Sequence, residues 1–149
     1  MFVADEVEEA TEEDFDELLR VWEASVRATH HFLTEDDIQF FKPLVRNEAL
    51  PAVVLRCVRG DDGLPVGFLG VSGTKIEMLF VRPDCRGRGV GRRLLEHALR
   101  RMGATELDVN EQNRQAVGFY TRMGLRVVGR SEVDGMGKPF PLLHMRFAG

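Results

Sequence analysis

Apolar and acidic residues alternate between Val3 and Ala10, which predicts a short first strand. Thr11 follows as a helix cap, with Asp14 placed so that its carboxylate can reach back. Phe15, Leu18, Leu19, Trp22 and Val26 then fall on one helical face. A second helix is predicted over Thr34 to Phe41, ending before Pro43 because the residue ahead of a proline avoids helical backbone. Ala52 to Val58, Val66 to Ser72 and Lys75 to Val81 read as three strands, joined through the turn sequences Gly60-Asp61-Asp62-Gly63 and Gly73-Thr74. After Pro83 the period lengthens. Val90, Leu94, Leu95, Ala98, Leu99 and Met102 form a helical stripe that Gly103 terminates. Leu107 to Val109 is a short strand, and Gln115 to Met123 a helix closed by Gly124. Arg126 to Val133 and Leu142 to Phe147 are the last strands, joined by a loop containing Gly135, Gly137 and Pro139. This order predicts an α/β (α+β) fold: a mixed, mostly antiparallel sheet of about seven strands flanked by about four helices. No repeat or linker divides the chain, so residues 1–149 read as one domain.

Charge and composition narrow the function classes. The net charge is −4, which gives no general reason to expect a nucleic-acid partner. No apolar run is long enough to span a bilayer, and the acidic start (Asp5, Glu6, Glu8, Glu9) does not read as a targeting peptide. Two cysteines, Cys57 and Cys85, make neither a disulfide framework nor a four-cysteine zinc site; as plain thiols they point to a reducing compartment, the cytoplasm. His97 and His144 have no second ligand at useful spacing, so no metal is expected.

The positive charge is unevenly spread. Arg82, Arg86, Arg88, Arg92 and Arg93 crowd a short stretch interleaved with Gly87, Gly89 and Gly91, where an apolar strand hands over to an amphipathic helix. Glycines let backbone N–H groups turn toward a ligand, and a helix start adds orphan donors and partial positive charge. The combination suits phosphate or pyrophosphate, with arginine adding charge-assisted donors. It is not a P-loop, which needs Gly-Lys followed by Ser or Thr. Nor is it the dinucleotide fingerprint, since the spacing is Gly87-x-Gly89-x-Gly91 and three antiparallel strands precede it.

Arg86-x-x-Gly89-x-Gly91 resembles the Arg/Gln-x-x-Gly-x-Gly/Ala signature of the GNAT (Gcn5-related N-acetyltransferase) family. Leu79-Phe80-Val81-Arg82-Pro83 before it is similar to that family's fourth strand and its exit. A second segment, Asn113-Arg114-Gln115-Ala116-Val117-Gly118-Phe119-Tyr120 followed by Met123-Gly124-Leu125, independently resembles the family's last helix. The likeness covers essentially the whole chain. Ser25 to Leu33 and Gly129 to Leu143 are similar to a bacterial subgroup, and these two segments are expected to face each other over an acceptor channel.

The resemblance implies acetyl-CoA as co-substrate, with no metal, and an amine as acceptor. The pyrophosphate would rest on backbone N–H groups of Arg86, Gly87, Arg88, Gly89, Val90, Gly91 and Arg92. The pantetheine arm would lie along Leu79, Phe80 and Val81, with Asn113 hydrogen-bonding to it. Tyr120, the only tyrosine, would be the general acid for the leaving thiolate; its alternative is a core aromatic. Glu77 on the fourth strand would be the base, and His30 a proton relay on the acceptor side; each could equally be a solvated residue. His31 reads as a surface residue. Asn113 also reads as a helix cap. The family commonly forms dimers, so a second copy is a candidate partner. Two readings follow: an N-acetyltransferase, or a catalytically silent module that holds acetyl-CoA and regulates a partner.

Overall fold

The computed structural model describes residues 6–148. Its strands are β1 (Glu8–Glu9), β2 (Val54–Arg59), β3 (Pro65–Ser72), β4 (Lys75–Val81), β5 (Glu106–Asn110), β6 (Leu125–Ser131) and β7 (Leu142–Phe147). The helices are α1 (Phe15–Thr29), α2 (Glu35–Leu44), α3 (Val90–Arg101) and α4 (Arg114–Arg122). One sheet holds all seven strands in the order β1-β2-β3-β4-β5-β7-β6. Neighbours are antiparallel except β4 and β5, which run parallel because α3 crosses over between them. The predicted first strand is cut to Glu8–Glu9, which pair with β2; its Val3–Asp5 part lies outside the described residues.

Local chemistry sets the helix starts. Thr11 N–H donates to the Asp14 carboxylate at 2.9 Å, but around a 3-10 turn, Glu12–Asp14, that precedes α1. Arg59 on β2 grips the same carboxylate through two 3.0 Å bonds, and that contact holds Asp14 below the usual carboxylate range. At α2, Thr34 and Asp37 cap each other: Thr34 N–H donates to the Asp37 carboxylate and Asp37 N–H to Thr34 Oγ1. The expected end of this helix before Pro43 is corrected. Helix α2 runs through Pro43 to Leu44 and opens into a wider π-type turn over Val45–Ala49. Proline has no N–H to give the carbonyl four residues back, and the widened turn absorbs the mismatch.

Two apolar layers cover the sheet. Leu18, Val21, Trp22 and Val26 of α1 and Ile38 of α2 pack with Cys57, Phe68 and Met78 on one face. Val90, Leu94, Leu95 and Ala98 of α3, with Tyr120 of α4, pack with Leu69, Ile76 and Leu107 on the other. Burial of α3 follows the predicted stripe, with Leu99 and Met102 at its margin. On α1 the buried face also includes Val21 and Ser25.

Two irregularities in β4 position the site. Opposite β3, Ile76 pairs with Val71 and Met78 with Gly70, so Glu77 is an extra residue without a partner, a β-bulge. On the other side, β4 pairs with β5 only at Lys75–Glu106 and Ile76–Leu107. From Glu77 onward the two strands diverge, and the edge of β4 facing β5 is left without a strand partner.

Candidate active site

The wedge between β4 and β5 opens into a cavity of about 530 Å³. One wall is β4 from Ile76 to Val81, which brings in the predicted Glu77, Leu79, Phe80 and Val81. The opposite wall is β5 from Leu107 to Asn110. The glycine loop closes one end through Arg86, Gly87, Gly89, Val90, Gly91 and Arg92. Arg88 is the one predicted loop residue outside the lining; its carbonyl accepts from the Arg93 guanidinium at 3.4 Å. Asn113 and Tyr120 of α4 complete this end, and Ser25, Thr29 and His30 of α1 and its C-terminal cap approach from the other face.

The loop conformation explains its glycines. Gly87 and Gly89 have φ of +77° and +79°, and Gly89 is the N-cap of α3. A Cβ at either would meet no protein atom within 4 Å, so the glycines serve backbone conformation, not packing. The first-turn N–H groups of α3 have no intrahelical acceptors, and the loop presents them toward the cavity end. Arg86, which donates to Gln115 Oε1 at 3.2 Å, ties the loop to α4. These features fit a pyrophosphate-bearing cofactor: main-chain donors at a helix start, with guanidinium groups alongside.

Helix α4 holds the other two predicted residues. Asn113 caps it, its side-chain oxygen accepting from Ala116 N–H at 3.3 Å, and the residue is buried while still lining the cavity. The capping and cavity readings of Asn113 therefore coexist. Tyr120, two turns along, is 8% exposed, and burial pushes its phenol pKa up. The hydroxyl stays protonated, a donor at any working pH.

Glu77 and His30 differ in environment. Glu77 is exposed on its bulge at the mouth of the wedge. His30 is half-buried and its ring contacts Phe32 at 5.3 Å between centroids. The Thr29 hydroxyl donates to the Ser25 carbonyl at 2.8 Å, so at its 2.7 Å contact with His30 Nδ1 it is the acceptor. That fixes the neutral ring with hydrogen on Nδ1 and a lone pair on Nε2. Burial, then the charges of Arg86 and His31, lower the His30 pKa to about 4. Such a ring is a weak proton acceptor at neutral pH.

The two segments expected to flank an acceptor channel touch through their aromatic rings. Phe32 after α1 meets Phe140 of the β6–β7 loop at 5.5 Å, and Phe41 of α2 meets the same ring at 6.5 Å. The resemblance implies a gap where the fourth strand splays from Leu107 to Asn110, but it does not single out Asp108 and Asn110 there as site residues. Their signal was the alternation of β5, where buried Leu107 and Val109 face α3 and the intervening polar residues take the opposite face. Among the described residues no cluster of three His, Cys, Asp or Glu groups could hold a metal ion, and no helix is long and apolar enough to cross a membrane.

The family model for the acetyltransferase (GNAT) domain matches residues 26–147. The peptidyl-lysine N-acetyltransferase YjaB of Escherichia coli is 47% identical over 137 residues, 92% of each chain. YiaC, another peptidyl-lysine N-acetyltransferase of Escherichia coli, is 28% identical over 123 residues, 82% of this chain and 84% of its own. The solution structure of apo YjaB from Escherichia coli superposes with a TM-score of 0.88 at 44% identity, over 100% of this chain and 99% of that one. The PaiA N-acetyltransferase of Thermoplasma acidophilum, solved with coenzyme A, shares the fold at a TM-score of 0.73 and 19% identity, over 99% and 100% of the two chains. A glycine loop feeding a helix beside a splayed strand pair, and a family match over most of the length, make the chain a member of the GNAT family of N-acetyltransferases.

Proposed function

We propose that this enzyme acetylates lysine side chains of proteins, using acetyl-CoA, by direct attack of the amine on the thioester. The observation that carries the reading is the wedge between β4 and β5, open from Glu77 onward and ending on the glycine loop. The lysine preference is supported by the relatives named as peptidyl-lysine N-acetyltransferases. The buried cysteines Cys57 and Cys85, neither in a disulfide, suit a reducing compartment, in keeping with a bacterial cytoplasmic enzyme.

In this reading the pyrophosphate sits on main-chain N–H groups between Arg86 and Arg92. The unpaired edge of β4 at Leu79, Phe80 and Val81 accepts the pantetheine amides as a strand would, and Asn113 steadies the arm from α4. The bulge at Glu77 turns a β4 N–H toward the thioester oxygen, where negative charge grows as the amine attacks. Glu77 takes the ammonium proton, directly or through water, so that the amine enters neutral. Tyr120 donates to the departing sulfur. Burial that weakens the phenol as an acid also raises the proton affinity of the thiolate, which keeps the pair matched. Help of this kind is typically worth ~100- to 10,000-fold in rate. His30, held by Thr29, offers its Nε2 lone pair as a hydrogen-bond acceptor on the acceptor side.

The test is release of the CoA thiol from acetyl-CoA over a panel of lysine peptides, free amino acids, polyamines and aminoglycosides. Turnover concentrated on lysine peptides supports the proposal. Turnover on a small amine alone overturns the acceptor, and cofactor binding without turnover overturns the transferase reading.

A further inference from the structure

Four polar side chains on four adjacent strands form a continuous chain that acetyl transfer as described above does not use. Lys75 of β4 lies 2.8 Å from Asp108 Oδ2 of β5. Asp108 Oδ1 lies 2.6 Å from His144 Nδ1 of β7, and His144 Nε2 lies 2.7 Å from Ser131 Oγ of β6. A carboxylate only accepts, so His144 Nδ1 carries the hydrogen, and in the neutral ring the Ser131 hydroxyl donates to Nε2.

The backbone is shaped around this contact. Gly129 is the register partner of His144, and the β6–β7 ladder shifts between Val127 and Gly129. A Cβ at position 129 would meet the His144 ring at 3.2 Å, tighter than ordinary packing allows. Glycine there lets β6 close over the imidazole, and the bulge beside it brings Ser131 to Nε2.

Asp108 links this chain to the cavity. It lines the 530 Å³ wedge and also a second hollow of about 290 Å³ into which His144 faces. It sits one residue beyond the last β4–β5 pair, at the vertex where the strands part. Burial raises its pKa, but the hydrogen bonds from Lys75 and His144 outweigh that and hold it low. Asp108 is therefore a fixed anion rather than a proton acceptor. Two of its roughly four lone-pair sites are taken, and the carboxylate keeps acceptor capacity for a further donor.

We infer that His144 is a positioning residue for acetyl transfer: clamped between Asp108 and Ser131, it fixes the Asp108 carboxylate in the cavity wall as the hydrogen-bond acceptor for the incoming amine. Lys75 holds the other carboxylate oxygen. As the amine attacks, its nitrogen becomes positive, and a carboxylate already oriented stabilises that charge without reorganising. The inference rests on the wedge being the acetyl-transfer site.

The experiment is steady-state kinetics with acetyl-CoA and an acetylatable lysine peptide, with melting temperatures alongside, for wild type, His144→Gln, His144→Asn and Ser131→Ala. Gln keeps a polar atom near the Nε2 position but loses the donor to Asp108; Asn keeps a donor near Nδ1. His144→Gln should lower kcat/KM for the peptide at least ~10-fold, the usual cost of losing a hydrogen bond to a charged group, with KM for acetyl-CoA within about twofold. His144→Asn should recover most of that loss, and Ser131→Ala should cost about two- to threefold. An unchanged kcat/KM for the peptide in His144→Gln, or equal losses for Gln and Asn, overturns the inference, as does parallel loss for both substrates with a fallen melting temperature. Absence of turnover in wild type would instead overturn the transferase reading, and this inference with it.

Discussion

Ile76 and Met78 are two residues apart on one strand, yet their side chains enter opposite faces of the sheet: Ile76 packs under α3 and Met78 under α1. A regular strand would put them on the same face. The bulged Glu77 between them makes the difference, and it falls where β4 loses β5 as a partner. The same residue therefore breaks the ladder on one side and stands at the mouth of the wedge on the other.

Glu77→Gln keeps the bulge and removes the base. Turnover at pH 7 should fall at least ~10-fold, with the affinity for acetyl-CoA unchanged. The deficit should shrink as the pH rises toward ~10, where the lysine amine is already neutral. A pH–rate profile of both proteins checks this, and a pH-independent deficit would remove Glu77 as the base.

Tyr120→Phe deletes one oxygen from a buried ring. Turnover should drop at least ~10-fold while the acetyl-CoA dissociation constant moves by less than about twofold, the mark of a group that acts in the transition state. Calorimetry and single-turnover kinetics separate the two. Equal loss of binding would make Tyr120 a structural residue.

Gly89→Glu forces a side chain onto a left-handed backbone with φ of +79° and puts negative charge against the phosphates. Affinity for acetyl-CoA should fall by ~100-fold or more, and the left-handed backbone should separately cost the fold ~1–3 kcal/mol of stability. Gly89→Ala should show the strain without the charge, a smaller loss. Calorimetric titration of both variants reads the difference; intact affinity in Gly89→Glu would remove the loop from the site.

His30 links stability to pH. Its folded pKa, about 4, lies below the ordinary value of 6.5. The unfolded chain therefore binds a proton more readily than the folded one between those values. The stability contributed by the neutral ring is present above about pH 6.5 and is lost as the pH falls toward 4. His30→Asn should flatten the fall in melting temperature over pH 6.5 to 4 relative to wild type. Parallel curves would mean that the ring titrates normally.

Much of this was legible in the chain, for definite reasons. The loop proposed to hold the pyrophosphate shows itself locally, because Gly87 and Gly89 take a left-handed backbone that side chains avoid. The stripe of α3 and the contact of Thr11 with Asp14 are likewise local. The features that were not legible depend on partners far along the chain. The bulge at Glu77 exists only relative to the pairing of Met78 with Gly70 and Ile76 with Val71. The contact of Asp108, Ser131 and His144 needs the registers of three strands, and no spacing between residues 108, 131 and 144 encodes it. Pro43 misled because a helix can pass through proline when a wider turn follows.

The most direct measurement is a crystal structure of the protein with coenzyme A. The account predicts the pyrophosphate within hydrogen-bonding distance of main-chain N–H groups between Arg86 and Arg92, and the thiol between β4 and β5 near Glu77 and Tyr120. Coenzyme A bound at another surface, or a wedge closed by renewed pairing of β4 with β5 beyond Ile76, would contradict it.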